Sequence, residues 1–146
     1  MSLIVLKPGL QSTIQDLGRY NYSHFGISAS GAADPLSLKI GNLIVGNKES
    51  ASAIEMTIIG GEFQFDSECY IAISGCEFEA SLDNNYITNQ KAIDVKKGQI
   101  LSFGQAKTGA RAYLCIQGGI DVDNYLSSKS THILSGIGGY LGQPIS

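Results

Sequence analysis

Hydrophobic residues recur along this chain in short bursts. Leu3–Lys7, Ala53–Ile58, Glu62–Phe65, Tyr70–Ser74, Phe78–Leu82, Ala92–Val95, Gln99–Phe103 and Arg111–Ile116 are rich in β-branched or aromatic side chains and bounded by Gly, Asp, Asn or Lys. In YIAISG and FEASLD large apolar residues occupy every second position, which predicts strands with one face on a core. The DNN before Tyr86, the KKGQ at Lys96 and the KTGA at Lys107 supply turns between consecutive strands. The pattern predicts an all-β fold, a barrel or sandwich of many short strands.

One segment carries a helical period. Asp34 is placed to cap a helix that begins at Pro35, and Leu36, Ile40, Leu43 and Ile44 recur at helical spacing until Gly46-Asn47 stops it. Those four side chains are expected to pack against the strands. The stretch Ser12–Pro35, by contrast, follows neither period over most of its length and gathers glycines, hydroxyls, one arginine and two aspartates.

Composition narrows the function classes. The 146 residues suit one domain, and 16% charged residues leave a surface of mostly uncharged polar groups that favours contact with another protein. A net charge of −3 with ten scattered Lys and Arg argues against nucleic acid, which demands a clustered basic face. The N-terminus does not read as a signal peptide, and no apolar run is long enough to span a membrane, so a cytoplasmic location is expected. Cys69, Cys76 and Cys115 sit in strand-like runs without metal or redox spacing and read as buried free thiols. His24 and His132 lie far apart, and no metal site is expected.

Five motifs carry a resemblance: KPGLQSTIQDLGR, GISASGAADPLSLKIGNLIVGN, IEMTIIGGEFQF, AYLCIQGGIDV and LSSKSTHILSGIGGYLGQP. Together they resemble the family that comprises the 5-oxoprolinase C-subunit, the second subunit of allophanate hydrolase, and KipA-type or biotin-dependent carboxyltransferase proteins. The resemblance implies a cyclophilin-like β-barrel with one short helix, residues 1–146 being a lobe that corresponds to the N-terminal half of a polypeptide about twice as long. It implies three functions: a component of an ATP-dependent 5-oxoprolinase complex, inactive alone; a carboxyltransferase component of a biotin-dependent urea or amide carboxylase; or a non-catalytic regulator of KipA type. For a chain with no biotin-carrier segment the first is favoured, with a KipI-type protein and a lactam-utilisation protein as its partner subunits. The chain has no phosphate-binding loop and no Ser-His-Asp arrangement, so it is expected to bind no cofactor itself and to leave ATP to those partners.

Polar positions within these motifs are the site candidates. Gln15, Asp16 and Arg19 share one turn, where Asp16 and Arg19 read either as an ion pair fixing the loop or as a guanidinium offered to a carboxylate substrate. Ser30, Gly31 and Asp34 approach the helix N-terminus, with Asp34 a cap or a base. Asn42 reads as a satisfied structural amide or a ligand contact. Glu55 and Thr57 alternate with Ile54, Met56 and Ile58, so Glu55 faces away from the core, either for acid–base work or into solvent. Asp121 follows a Gly-Gly turn, and Lys129 and Gln143 stand where the family pattern has Arg. Arg19, Asp34 and Glu55 are the catalytic candidates; Gln15, Asp16, Ser30, Gly31, Asn42, Thr57, Asp121 and Lys129 are the substrate-binding ones.

Overall fold

A computed structural model describes residues 1–146. Its strands are β1 (Leu3–Lys7), β2 (Gln11–Gln15), β3 (Ala53–Thr57), β4 (Glu62–Phe65), β5 (Cys69–Gly75), β6 (Phe78–Leu82), β7 (Asn85–Tyr86), β8 (Ile93–Val95), β9 (Ile100–Ala106) and β10 (Arg111–Ile116). They form two antiparallel sheets, ordered β1-β4-β9-β6-β7 and β2-β3-β10-β5-β8. The chain is mainly β, as its alternating pattern predicts, and its strands form two sheets that face each other across a core.

That core interleaves Phe63, Phe65, Phe78, Leu82, Leu101 and Phe103 of the first sheet with Ile54, Met56, Ile71, Ile73, Leu114 and Ile116 of the second. Phe103 meets Phe63 and Phe78 edge-on, with ring centroids 6.3 Å apart in both pairs, an arrangement the ring quadrupoles favour. No helix is long and apolar enough to cross a membrane.

The single α-helix, α1 (Pro35–Ile44), starts where the sequence places it: the Asp34 carboxylate accepts from the Ser37 amide at 3.1 Å, and proline occupies the first turn. Its buried face differs from the expected one. Leu36 and Leu43 are 66% and 56% exposed, Ile40 and Ile44 are half-buried, and the residues sealed against the second sheet are Leu38, Gly41 and Asn42, with Val45 just beyond. The cause is Gly41. A Cβ there would stand 2.5 Å from the Ser74 hydroxyl and 2.6 Å from the Cys115 sulfur, so the helix approaches the sheet closely at its glycine and turns bulkier residues outward.

A second difference concerns Ser12–Pro35, whose first residues form β2, paired with β3 from Gln11 opposite Thr57 to Gln15 opposite Ala53. Both faces of this strand are covered, and Ser12, Thr13, Ile14 and Gln15 are all buried. Three of those four are polar, so no alternation marks the strand. The two-residue β7 also escapes the sequence pattern; it closes a hairpin across Asp83 and Asn84, both in the left-handed region. Of the cysteines, Cys115 is fully buried while Cys69 and Cys76 are half-buried, all three unpaired.

Candidate functional site

The face of the second sheet that turns away from the core is apolar where Ala53, Ala72 and Cys115 meet the helix and polar beyond them. Strand register sets Thr13, Glu55, Tyr113 and Ser74 side by side across β2, β3, β10 and β5, and the next row holds Gln11, Thr57 and Arg111. Helix α1 and the segment leading into it cover the first row.

Glu55, 8% exposed, is the centre of that row. Its Oε2 accepts from the Tyr113 hydroxyl at 2.7 Å and from the Ala33 amide at 2.8 Å, while its Oε1 lies 3.5 Å from Arg111 Nε. Tyr113 in turn accepts from the Asp34 amide at 2.8 Å. Burial, and then the neighbouring Glu55, push the Tyr113 hydroxyl far above its ordinary value, so it stays protonated and acts as a fixed donor to the carboxylate. One oxygen of Glu55 is thereby saturated, and the other is left with only Arg111 beside it.

The covering segment is held by Asp16 and Arg19. Asp16 Oδ1 accepts from the Gly18 amide and from the hydroxyls of Ser128 and Ser130, and Oδ2 accepts from the Lys129 amide at 2.7 Å. Arg19, 2% exposed, donates from Nε to Tyr125 O at 3.2 Å, from Nη1 to Ser30 Oγ at 3.0 Å and from Nη2 to Ser130 O at 2.6 Å. The two residues grip the 125–130 segment separately rather than pairing with each other. Ser30 and Gly31 both have positive φ, and Gly31 packs so tightly on the Leu17-Gly18 peptide that a Cβ would stand 2.9 Å from it.

The other candidates fall elsewhere. Gln15 donates to Thr13 Oγ1 and Thr131 O, and its Oε1 is buried with no partner. Asn42, fully buried, donates to Ala51 O at 2.8 Å and accepts from Asn47, which ties the helix to the loop after it. Lys129 reaches Ile120 O at 2.9 Å and stands 3.6 Å from the exposed Asp121. Asp16 and Lys129 line a polar hollow of about 430 Å³ with Ser52, Gly118, Gly119 and Ser127. A larger apolar hollow of about 860 Å³, bordered by Leu3, Val5, Ile116, Ile120 and Ile145, opens at the end of the core.

The structure therefore joins Glu55, Thr57 and the backbone amide of Asp34 in one place, the Asp34 carboxylate itself being held by Ser37 as the helix cap, and Asp16, Arg19, Ser30 and Lys129 in another. Sequence reasoning missed Tyr113 and Arg111. Their signal was the alternation in RAYLCI, where Arg111 and Tyr113 alternate with the core residues Ala112 and Leu114 as Glu55 alternates with Ile54 and Met56.

Comparison with known proteins decides the family. The model described as carboxyltransferase domain, subdomain A and B, matches residues 25–146. The chain belongs to this family. Over 140 residues the chain is 44% identical to the urea amidolyase of Lachancea kluyveri, covering 95% of itself and 8% of that protein. It is 38% identical to the 5-oxoprolinase C-subunit of Escherichia coli over 97% of itself and 46% of the relative. The crystal structure of the K. lactis urea amidolyase superposes with a TM-score of 0.96 at 40% identity, over 98% of this chain and 9% of that one. The chain thus spans less than half the length of the 5-oxoprolinase C-subunit and under a tenth of the urea amidolyase it matches.

Proposed function

We propose that this chain is the A and B portion of one component of a cytoplasmic ATP-dependent 5-oxoprolinase, and that it is catalytically silent alone. The likeness to the 5-oxoprolinase C-subunit along 97% of the chain carries the reading. Opening 5-oxoproline to glutamate breaks the lactam C–N bond, joins a water oxygen to the carbonyl carbon and returns a proton to nitrogen. The lactam-utilisation and KipI-type partners supply the ATP step. Within this chain the chemistry suits Glu55: Oε2 is pinned by Tyr113 and Ala33, which leaves Oε1 to accept the lactam N–H or a proton from water.

The test is reconstitution with the lactam-utilisation and KipI-type partners, measuring glutamate formed from 5-oxoproline and ATP. Glutamate is expected only when this chain and both partners are present. Equal rates with and without the chain overturn the reading, as does turnover by the purified chain with ATP alone.

A second reading, carboxyl transfer from a biotin carrier to an amide or urea nitrogen, is favoured by the 44% identity to a urea amidolyase. It predicts chain-dependent discharge of carboxybiotin by urea in the same preparations.

A further inference from the structure

We infer that Gln11, Thr57 and Arg111 form a carboxylate-binding row, with Arg111 as the residue that grips the anion. The inference rests on the lactam-hydrolase reading for the identity of the anion, 5-oxoproline being both a lactam and a carboxylate.

The chain has two arginines. Arg19 is buried, and all three of its nitrogens donate to protein acceptors. Arg111 is the opposite case: its side chain is 35% exposed, its buried Nε faces Glu55 Oε1 at 3.5 Å without a hydrogen bond, and the rest of its fork is not taken up by the protein acceptors that hold Arg19. Glu55 thus orients the inner edge of the guanidinium, and the outer edge, on a side chain one-third exposed, is open to a carboxylate, the acceptor its planar fork fits best.

Register supplies the other two members. Thr57 stands directly opposite both Gln11 on β2 and Arg111 on β10, so the three side chains share one face of three adjacent strands. Neighbouring members of such a row lie roughly 5 Å apart, close enough for a hydroxyl and an amide N–H to reach the anion that Arg111 holds. All three are half-buried, and neither the Gln11 amide nor the Thr57 hydroxyl bonds within the chain.

Glu55 gives the row its specificity. Its Oε1 keeps the guanidinium oriented and repels an anion from the inner edge, which confines the carboxylate to the outer edge of the fork and leaves the lactam N–H facing Glu55. The adjoining residue Ile58 holds a left-handed φ of 60°, a conformation a β-branched side chain seldom takes. Strain of that kind gathers where backbone is shaped for binding.

The test is a titration of the isotopically labelled full chain followed by nitrogen–proton NMR, with 5-oxoproline, its carboxamide and acetate as probes. We expect 5-oxoproline and acetate to move the Arg111 Nε–H and Gln11 side-chain amide resonances, the carboxamide to move neither, and Arg111→Lys to weaken 5-oxoproline binding at least tenfold. Gln11→Ala and Thr57→Val, which keep the Arg111–Glu55 pair, should each weaken it severalfold and carry the test if Arg111→Lys does not fold. Wild-type affinity in the folded variants, shifts centred on Lys129 and Gly118, or no shift at all overturns the inference. If acetate and 5-oxoproline occupy the row while the reconstituted complex forms no glutamate, the row stands and the lactam reading falls.

Discussion

Leu38 offers the sharpest test of how α1 is seated. It is fully buried with Val45, Ala53, Ala72, Tyr113 and Cys115, whereas Leu36, two residues earlier, is 66% exposed. Leu38→Ala removes three carbons; at about 0.8 kcal/mol each that is about 2.4 kcal/mol of transfer free energy. The neighbours are fixed in strands β3, β5 and β10 and collapse little, so a cavity term brings the expected loss to about 3–4 kcal/mol. In a domain of this size that lowers Tm by about 10–13 °C. Leu36→Ala and Leu43→Ala should stay within about 0.5 kcal/mol, as exposed substitutions do. Urea unfolding of the three variants, with the slope checked for constancy, gives the comparison. A loss below about 1 kcal/mol for Leu38→Ala, or one that Leu36→Ala equals, means the helix is seated on its other face.

Four further outcomes follow from the same geometry. Gly41→Ala should destabilise by about 1–3 kcal/mol, because overlap with Ser74 and Cys115 outweighs the roughly 1 kcal/mol by which alanine favours a helix; a stabilised variant in thermal unfolding refutes the close approach. Glu55→Gln should lower glutamate formation by the reconstituted complex at least about a hundredfold with Tm nearly unchanged, and near-normal rates remove Glu55 from the chemistry. Arg19→Lys should cost about 2–4 kcal/mol in urea unfolding, since one ammonium cannot serve Tyr125 O, Ser30 Oγ and Ser130 O together; unchanged stability refutes the clamp. Burial pushes the Cys115 thiol from 9.0 up to about 12, so the folded chain keeps a proton that the unfolded chain releases. Its contribution is complete below about pH 9 and is lost as pH rises toward about 12, so Cys115→Ala should flatten the fall of stability measured between pH 9 and 11; an unchanged slope counts against it.

Much of the sheet architecture is legible in the chain because most strands keep one apolar face. Phe78, Ala80 and Leu82 alternate with polar or small neighbours, and the structure buries those three. Strand β2 is illegible for the complementary reason. It is covered on both sides, yet its polar side chains find partners: Ser12 donates to Pro8 O, and Gln15 Nε2 donates to Thr13 Oγ1 and to Thr131 O, the latter more than a hundred residues away. Helix α1 shows a different limit. Its sequence carries two periodic faces, one of bulky residues and one of Leu38, Gly41, Asn42 and Val45, and hydrophobicity alone ranks the bulky one first. What decides is how near the helix can come to the sheet, and only the face with glycine permits the observed approach.

The candidate site shows the same division between local pattern and long-range register. That Glu55 turns away from the core follows from alternation within β3. That Tyr113 and Arg111 stand beside it follows only from the pairing of β10 with β3, two strands more than fifty residues apart. The polar stretch after β2 acquires a physical reason from this arrangement. Arg19 donates its amide to Ala29 O and its guanidinium to Ser30, and Asp16 O accepts from the Ala32 amide, so the two residues suspend the segment from Ala29 to Asp34 above the sheet. That segment then presents the Ala33 and Asp34 amides to Glu55 and Tyr113. Asp16 and Arg19 therefore act on Glu55 through the backbone they hold, whereas Arg111 meets it directly from the neighbouring strand. A lysine at position 19 loosens the cover and moves stability and the Glu55 geometry together; a lysine at position 111 leaves the cover's own hydrogen bonds intact and changes the partner of Glu55 Oε1 and what the row can grip.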